Sequence, residues 1–143
     1  MANLAGALTT DEPGTEARRR IPSGGPWEAR YGYSRVAVAG ASAYVAGTTD
    51  AGPDGLSRHP GDPAAQTRAI LKIIELALGD AGFSLADVVR TRMYVTEVGN
   101  IAPVAEVHGE VFGLVRPASS AVVVKALIDP SLLVEIEADA HRA

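Results

Sequence analysis

The chain has 143 residues, the length of one domain with a single hydrophobic core. Its composition is that of a globular protein, and its net charge of −4 argues against a general affinity for nucleic acid. The absence of cysteine excludes disulfides, thiolate metal ligands and a cysteine nucleophile. His59, His108 and His141 are too scattered to predict a metal site, and we expect no cofactor.

Residues 1–17 are rich in Ala, Gly, Thr and acids without any period, which predicts a flexible leader before a single domain at residues 18–143. The leader lacks the basic-then-apolar order of a signal peptide, and no apolar run approaches the roughly 20 residues needed to span a membrane. We therefore expect a cytoplasmic protein without membrane contact.

The first half of the domain contains two strand signals and one strong helix signal. A short edge strand is expected near Arg20, followed by a turn-rich segment around Gly24 and Gly25. The run "YSRVAVAGASAYVAGTT" alternates, turns at its glycines and resumes, which predicts a β-hairpin. After a loop, Asp62 is the expected cap of a long helix that starts with Pro63. Its apolar stripe is Ile70, Ile73, Ile74, Ala77 and Leu78, and Gly82 is its expected stop.

The second half predicts strand, helix, strand, strand. In "VVRTRMYVT", Val89, Thr91, Met93 and Val95 are expected on one face and Arg90, Arg92 and Tyr94 on the other. A helix from about Ile101 to Phe112, capped by Asn100, would bury Ile101, Val104, Ala105, His108, Val111 and Phe112. The strands "SSAVVVKAL" and "LLVEIEADAH" close an α+β fold, a mixed sheet with both helices on one face.

The last strand places three acids, Glu135, Glu137 and Asp139, on the face opposite its apolar residues. If the helices cover the apolar face, the acids face water or another subunit. We expect Glu137 and Asp139 to be solvated or paired across a subunit interface with Arg90 or Arg92. An uncovered sheet face carrying residues such as Met93, Val95 or Val122 would favour an oligomer.

Several blocks in this order resemble the Rid family, also called YjgF-like or L-PSP proteins. The resemblance runs from about Tyr33 to Arg142 and is carried by "YSRVAVAGASAYVAGTT", "AAQTRAILKIIELAL", "ADVVRTRMYVTEV" and "RPASSAVVVKALIDPSLLVEIEADA". It implies a chorismate-mutase-like (bacillary) fold and a homotrimer with small-molecule clefts between subunits.

The deaminase branch of that family hydrolyses enamines and imines of 2-amino acids. The resemblance implies that Glu135 positions or activates water and that Tyr33 shapes the pocket. Arg35, two residues from Tyr33 on the same strand face, and Ala46 are further candidate substrate-binding residues. The position of the arginine that grips the substrate carboxylate is occupied by Ser119. Arg116 does not replace it, because an offset of three residues along a strand reverses the face.

A serine hydroxyl offers one weak donor where a guanidinium offers two charge-assisted bonds. The change would weaken carboxylate binding on the order of 10- to 100-fold or more, so we expect a neutral or amine-bearing ligand. The default reaction is hydrolysis of a C=N bond with Glu135 as the proton-transfer residue. The alternative is a trimer that binds a ligand or a partner without catalysis. A ribonuclease is a third interpretation, which the acidic charge disfavours.

Other charged or polar residues admit a second interpretation. Arg35, Arg90 or Arg92 could supply the cation that Ser119 does not, although the last two suit ion pairs with the acidic strand better. His108 lies on an apolar helix stripe and is expected to be a hydrogen-bonded core histidine.

Overall fold

The computed structural model describes residues 18–143, so the expected leader lies outside the described residues. Within them, one six-stranded mixed sheet runs in the order β1-β2-β3-β6-β4-β5, with β4 and β5 parallel and the other neighbours antiparallel. This confirms the predicted α+β class. The elements are β1 (Arg18–Ile21), α1 (Trp27–Tyr31), β2 (Val36–Ala39), β3 (Ser42–Thr48), α2 (Pro63–Asp80), β4 (Val88–Val95), α3 (Ile101–Phe112), β5 (Ala118–Val123) and β6 (Val134–His141).

Helix α2 begins and ends as its sequence predicts. The Asp62 side chain accepts a hydrogen bond from the Ala65 amide at 3.0 Å, and Pro63 occupies the first turn, where no amide hydrogen is needed. Past its end, Gly82 has a φ of 83°, a left-handed conformation that glycine adopts without strain. Most of the predicted stripe is buried, with Ile73 half-buried at its edge.

The other helices differ from the sequence prediction in detail. Helix α3 has the predicted bounds, but Val107 is buried and Ala105 is exposed, because the buried positions follow i and i+3 from Val104. The prediction for Ala105 was therefore wrong. The five-residue α1 was not predicted, since its sequence is dominated by neighbouring turn residues; Gly32, with φ 73°, ends it.

A bulge in β4 overturns the face predicted for Val89. Val88 pairs with Ala140 and Arg90 pairs with Asp139, so β4 contains one extra residue at Val89 that has no partner on β6. Val88 takes the buried position and Val89 is exposed. Strict alternation from the sequence cannot detect this insertion.

The helices α2 and α3 pack together and cover one face of the sheet, as predicted. Met93 and Val95 are buried in this core, so their predicted place on an uncovered face was wrong. The opposite face carries Tyr44 and Val122, each about half exposed, beside the acidic row of β6. In residues 18–143, no helix is long and apolar enough to cross a membrane.

Candidate functional site

The acids of β6 form a row on the sheet face that the helices leave uncovered. Glu137 accepts a hydrogen bond from the Tyr94 hydroxyl, and Arg92 lies 3.9 Å from Glu137 and 3.5 Å from Asp139. The hydrogen bond to Glu137, together with burial, raises the pKa of Tyr94. The sequence predicted such pairs across a subunit interface. The pairs with Arg92 lie instead within a single chain, because β4 and β6 are neighbours in the sheet.

Glu135 differs from its two neighbours in the row. Within the described part of the chain, its carboxylate makes neither a hydrogen bond nor an ion pair. Burial raises the pKa of Glu135, the charge of Glu137 raises it further, and the charge of Arg35 lowers it. A half-buried carboxyl with a raised pKa and no internal partner is suited to exchanging a proton with a ligand.

A bulge in β3 makes the space that the Glu135 side chain occupies. Val45 pairs with Ala138 and Thr48 with Ile136, so three steps on β3 match two on β6. The extra residue leaves Gly47 against the Glu135 carboxylate. A Cβ on Gly47 would lie 2.1 Å from the Glu135 Oε1 atom, so a side chain at this position and the present carboxylate position exclude each other.

The same bulge holds Arg35. Its Nη1 donates to the Thr48 hydroxyl at 2.7 Å and to the Gly47 carbonyl at 3.3 Å. The Ala46 amide donates to the Arg35 carbonyl at 2.9 Å, and the Thr48 hydroxyl donates to the Ala46 carbonyl at 2.8 Å. Three predicted pocket residues, Ala46, Arg35 and Glu135, are thus brought together around Gly47.

Tyr33 is exposed and lies with Arg35 in the wall of an open groove of about 720 Å³. Glu135 is not among the residues that line this groove. Within one chain, the predicted pocket residue Tyr33 thus shares a groove with Arg35 but not with Glu135.

Ser119 lies on the other side of the sheet from Glu135. It pairs with Thr91, whose hydroxyl contacts the Ser119 Oγ and the His108 Nε2 at 2.8 Å each. Thr91 is fully buried and faces α3, whereas Glu135 pairs with Tyr94 on the opposite face. Within one chain, Ser119 and Glu135 do not share a pocket. Burial lowers the pKa of His108. This residue of α3 is hydrogen-bonded to Thr91, as the sequence predicted for a core histidine.

Among the other arginines proposed as substitutes, Arg92 is already paired with two acids. Arg116 precedes β5 with a φ of 53° and follows the end of α3. Arg90 is aligned with Asp139 across the strands. Arg35 is the arginine whose charge acts on the pKa of Glu135, which distinguishes it from the other candidates.

Sequence reasoning missed Gly47 and Thr48 as parts of this site. The signal was present, because an isolated glycine inside a strand pattern indicates a bulge or a close approach. It also read Tyr94 only as a face-alternating residue, and its bond to Glu137 depends on the register between β4 and β6.

Comparison with known proteins supplies the family. The model of the family described as Endoribonuclease L-PSP matches residues 26–142. The uncharacterized protein SCO2049 of Streptomyces coelicolor is 37% identical over 128 residues, which cover 90% of this chain and 95% of that protein. The RutC family protein PH0854 of Pyrococcus horikoshii is 36% identical over 110 residues, covering 77% of this chain and 86% of that protein.

Solved structures of related proteins support the same family assignment. The crystal structure of Rv2704 from Mycobacterium tuberculosis, described as a member of the YjgF/YER057c/UK114 family, matches with a TM-score of 0.79 and 51% identity, covering 88% of this chain and all of that one. The Rid protein YyfA of Yersinia pestis matches with a TM-score of 0.76 and 31% identity, over 88% of this chain and 100% of that one. The chain therefore belongs to the L-PSP family, the Rid or YjgF-like proteins.

Proposed function

We propose that this protein hydrolyses the C=N bond of a small neutral or amine-bearing imine or enamine, with Glu135 as the catalytic acid and base. One observation carries the proposal. Glu135 is the acid of the β6 row that has no partner within residues 18–143, and burial raises its pKa. Its neighbours Glu137 and Asp139 are held by Tyr94 and Arg92.

The proposed hydrolysis needs only the imine and water. Protonated Glu135 donates to the imine nitrogen while water adds to the imine carbon, and the resulting carboxylate takes the surplus proton from the added water. Glu135 then donates this proton to the carbinolamine nitrogen, the C–N bond breaks, and the Glu135 carboxylate takes the proton of the carbinolamine hydroxyl, which restores the protonated acid. The products are a carbonyl compound and ammonia or an amine. General acid–base catalysis of this kind contributes about 10²- to 10⁴-fold.

The charges near Glu135 support a ligand without a carboxylate. Two further acids, Glu137 and Asp139, lie in the same row, and Arg92 is engaged by both. Arg35 is close enough to act on Glu135, but its Nη1 is bonded to Gly47 and Thr48. Ser119 supplies no charge. An anionic group at Glu135 would therefore meet more negative than available positive charge.

We further propose that the protein is a homotrimer of the chorismate-mutase-like type, with its ligand clefts between subunits. The uncovered sheet face supports this, since it combines exposed Tyr44 and Val122 with a partly buried acid row. Subunit contact would also provide the route by which Ser119 of one chain approaches Glu135 of another.

A matched pair of substrates tests the proposed reaction. Butan-2-imine and 2-iminobutanoate, each generated in situ by an amine or amino acid oxidase, differ in a methyl group against a carboxylate. Release of butanone or 2-oxobutanoate is measured in competition with semicarbazide trapping. We expect acceleration of the neutral imine, a fall of 100-fold or more in Glu135→Gln, and wild-type rates in the exposed control Glu106→Gln.

Each other outcome has a definite meaning. Preference for 2-iminobutanoate would show that the proposed neutral or amine-bearing ligand is wrong and that a cation is supplied to the cleft. Absence of turnover with both imines, combined with ligand binding that Glu135→Gln leaves intact, would favour the non-catalytic binding trimer.

Ribonuclease activity, which the description of the family model names, is not part of this proposal. The net charge of −4 argues against a general affinity for a polyanionic strand. Incubation with unstructured RNA at low salt is expected to leave the RNA intact.

A further inference from the structure

The groove beside Tyr33 and Arg35 contains a second combination of groups that the proposed reaction does not use. Its volume of about 720 Å³ lies within the range of small-molecule sites. One wall comes from residues 21–27, another from the loop at residues 51–58, and the floor from the second half of α2.

The lining combines apolar surface with net positive charge. Trp27 and Leu76 are each more than half exposed, and Tyr33 is nearly half exposed. The charged residues of the lining are Arg35, Arg58 and Asp80, two guanidinium groups against one carboxylate. Exposed aromatic rings beside guanidinium groups favour a planar apolar body that carries a negative charge.

The wall that carries Trp27 is held in place. Glu28, buried in the short α1, accepts the Ser23 amide with both carboxylate oxygens, at 2.8 and 3.1 Å. Burial alone would raise the pKa of Glu28, but these bonds and the charge of Arg35 outweigh it and lower the pKa. The Trp27 ring also stacks on Tyr31, with centroids 5.8 Å apart. The exposed indole is therefore oriented before any ligand arrives.

The opposite wall holds the backbone on both sides of Arg58. Buried Asp50 accepts the Ser57 hydroxyl at 2.8 Å and the His59 amide at 3.1 Å. The Ser57 amide donates to the Ser131 hydroxyl at 2.9 Å. Within the described residues, the Arg58 guanidinium itself has no ion-pair or hydrogen-bond partner, so a charged group with a fixed backbone remains available.

We propose that this groove binds a small aromatic carboxylate, with its ring against Trp27 and Leu76 and its carboxylate on Arg58. This goes beyond the proposed reaction, because it concerns a second ligand and does not depend on turnover at Glu135. Arg35 belongs to both places, since it lines the groove and also contacts the bulge beneath Glu135.

Trp27 is the single tryptophan of the chain, so its fluorescence reports directly on the groove. The probe is 3-phenylpropanoate, compared with 3-phenylpropanamide, 3-phenylpropylamine and propanoate. We expect saturable quenching by 3-phenylpropanoate, and binding at least tenfold weaker for the uncharged, cationic and ringless compounds. Arg58→Met is expected to weaken binding about 10- to 100-fold, and Arg58→Lys to recover part of it. Arg68→Met, which removes an exposed arginine paired with Glu110 outside the groove, is expected to change nothing.

Equal binding of the amide and the acid would overturn the proposal, as would an affinity that Arg58→Met leaves unchanged. Absence of saturable quenching confirmed by calorimetry would also overturn it. Because the readout is direct binding, these outcomes are independent of whether the chain hydrolyses an imine. Thermal unfolding of each variant identifies any substitution that acts by disrupting the fold.

Discussion

At the scale of single residues, the site depends on Gly47 and Glu135. A side chain at position 47 would occupy the space that the Glu135 carboxylate now fills. Gly47 lies in a bulge where the missing side chain leaves room for the Glu135 carboxylate. Burial there raises the pKa of Glu135. The chemistry proposed for Glu135 on β6 therefore depends on a backbone feature of β3, the strand that pairs with β6.

Gly47→Ala is expected to displace the Glu135 carboxylate and to let its pKa fall toward the ordinary value. The added Cβ would meet the flexible end of a side chain, so the free energy of unfolding should change by less than about 1 kcal/mol. The measurement is an NMR titration of the Glu135 carboxyl carbon. Gly79→Ala is the control, since its Cβ meets nothing within 4 Å and should stabilise α2 by roughly 0.5–1 kcal/mol. An unchanged Glu135 titration in Gly47→Ala would contradict this geometry.

Glu135 also predicts a pH dependence of stability. Its folded pKa lies above its unfolded one, so its contribution is fully present below the unfolded pKa and is lost as the pH rises through the folded pKa. Glu135→Gln removes the ionising group and should therefore gain stability relative to wild type at pH about 8 compared with pH about 4. Urea unfolding of both proteins at both pH values measures this. A relative loss at the higher pH would be the opposite result.

At the scale of elements, α2 is joined to the start of β6 by one buried amide. Gln66 donates to the His59 carbonyl at 3.1 Å and the Ser131 carbonyl at 2.9 Å, and accepts the Leu133 amide at 2.9 Å. This side chain is fully buried. It therefore connects the groove loop, the helix and the strand that carries Glu135.

Gln66→Leu is expected to destabilise the fold by about 2–4 kcal/mol, because three backbone groups lose their partner. Thr67→Val, at the adjacent buried position, removes only the bond from the Thr67 hydroxyl to the Pro63 carbonyl and should cost less than about 1 kcal/mol. Chemical denaturation of both variants provides the comparison. Equal costs would show that Gln66 contributes little beyond filling space.

At the scale of the whole molecule, the sheet has one face covered by helices and one face that the chain leaves open. Val122 is aligned with Tyr94 and shares its face, and 47% of its surface is exposed. Tyr44, on β3, lies on the same side. The open sheet face thus carries both apolar and charged residues, a combination that favours contact with another subunit.

Val122→Asp is expected to dissociate the proposed trimer, because each subunit would bring an added charge into the contact. Light scattering should give wild type a mass about three times the 14.8 kDa of one chain and give the variant a lower mass. Leu114→Asp, at a fully exposed residue after α3, is the matched control and should keep the wild-type mass. A monomeric wild-type protein would refute the assembly.

The sequence by itself determined the order of the strands and of the two long helices, the bounds of α2 and α3, and the membership of the acids in one row. These features follow from local chemistry: a cap at Asp62, a helical period and a strand alternation. The order of these elements also predicted the α+β class correctly.

Only the tertiary structure decided which groups meet. An extra residue at Val89 and another in β3 shift the register, and no periodicity reveals such an insertion. The pairing of β4 with β5 placed Ser119 beside Thr91, on the side of the sheet away from Glu135. The bulge in β3 brought Arg35 to Gly47 and Thr48. Local preferences determine where a strand begins, whereas the partner opposite each residue depends on how the strands align across the sheet.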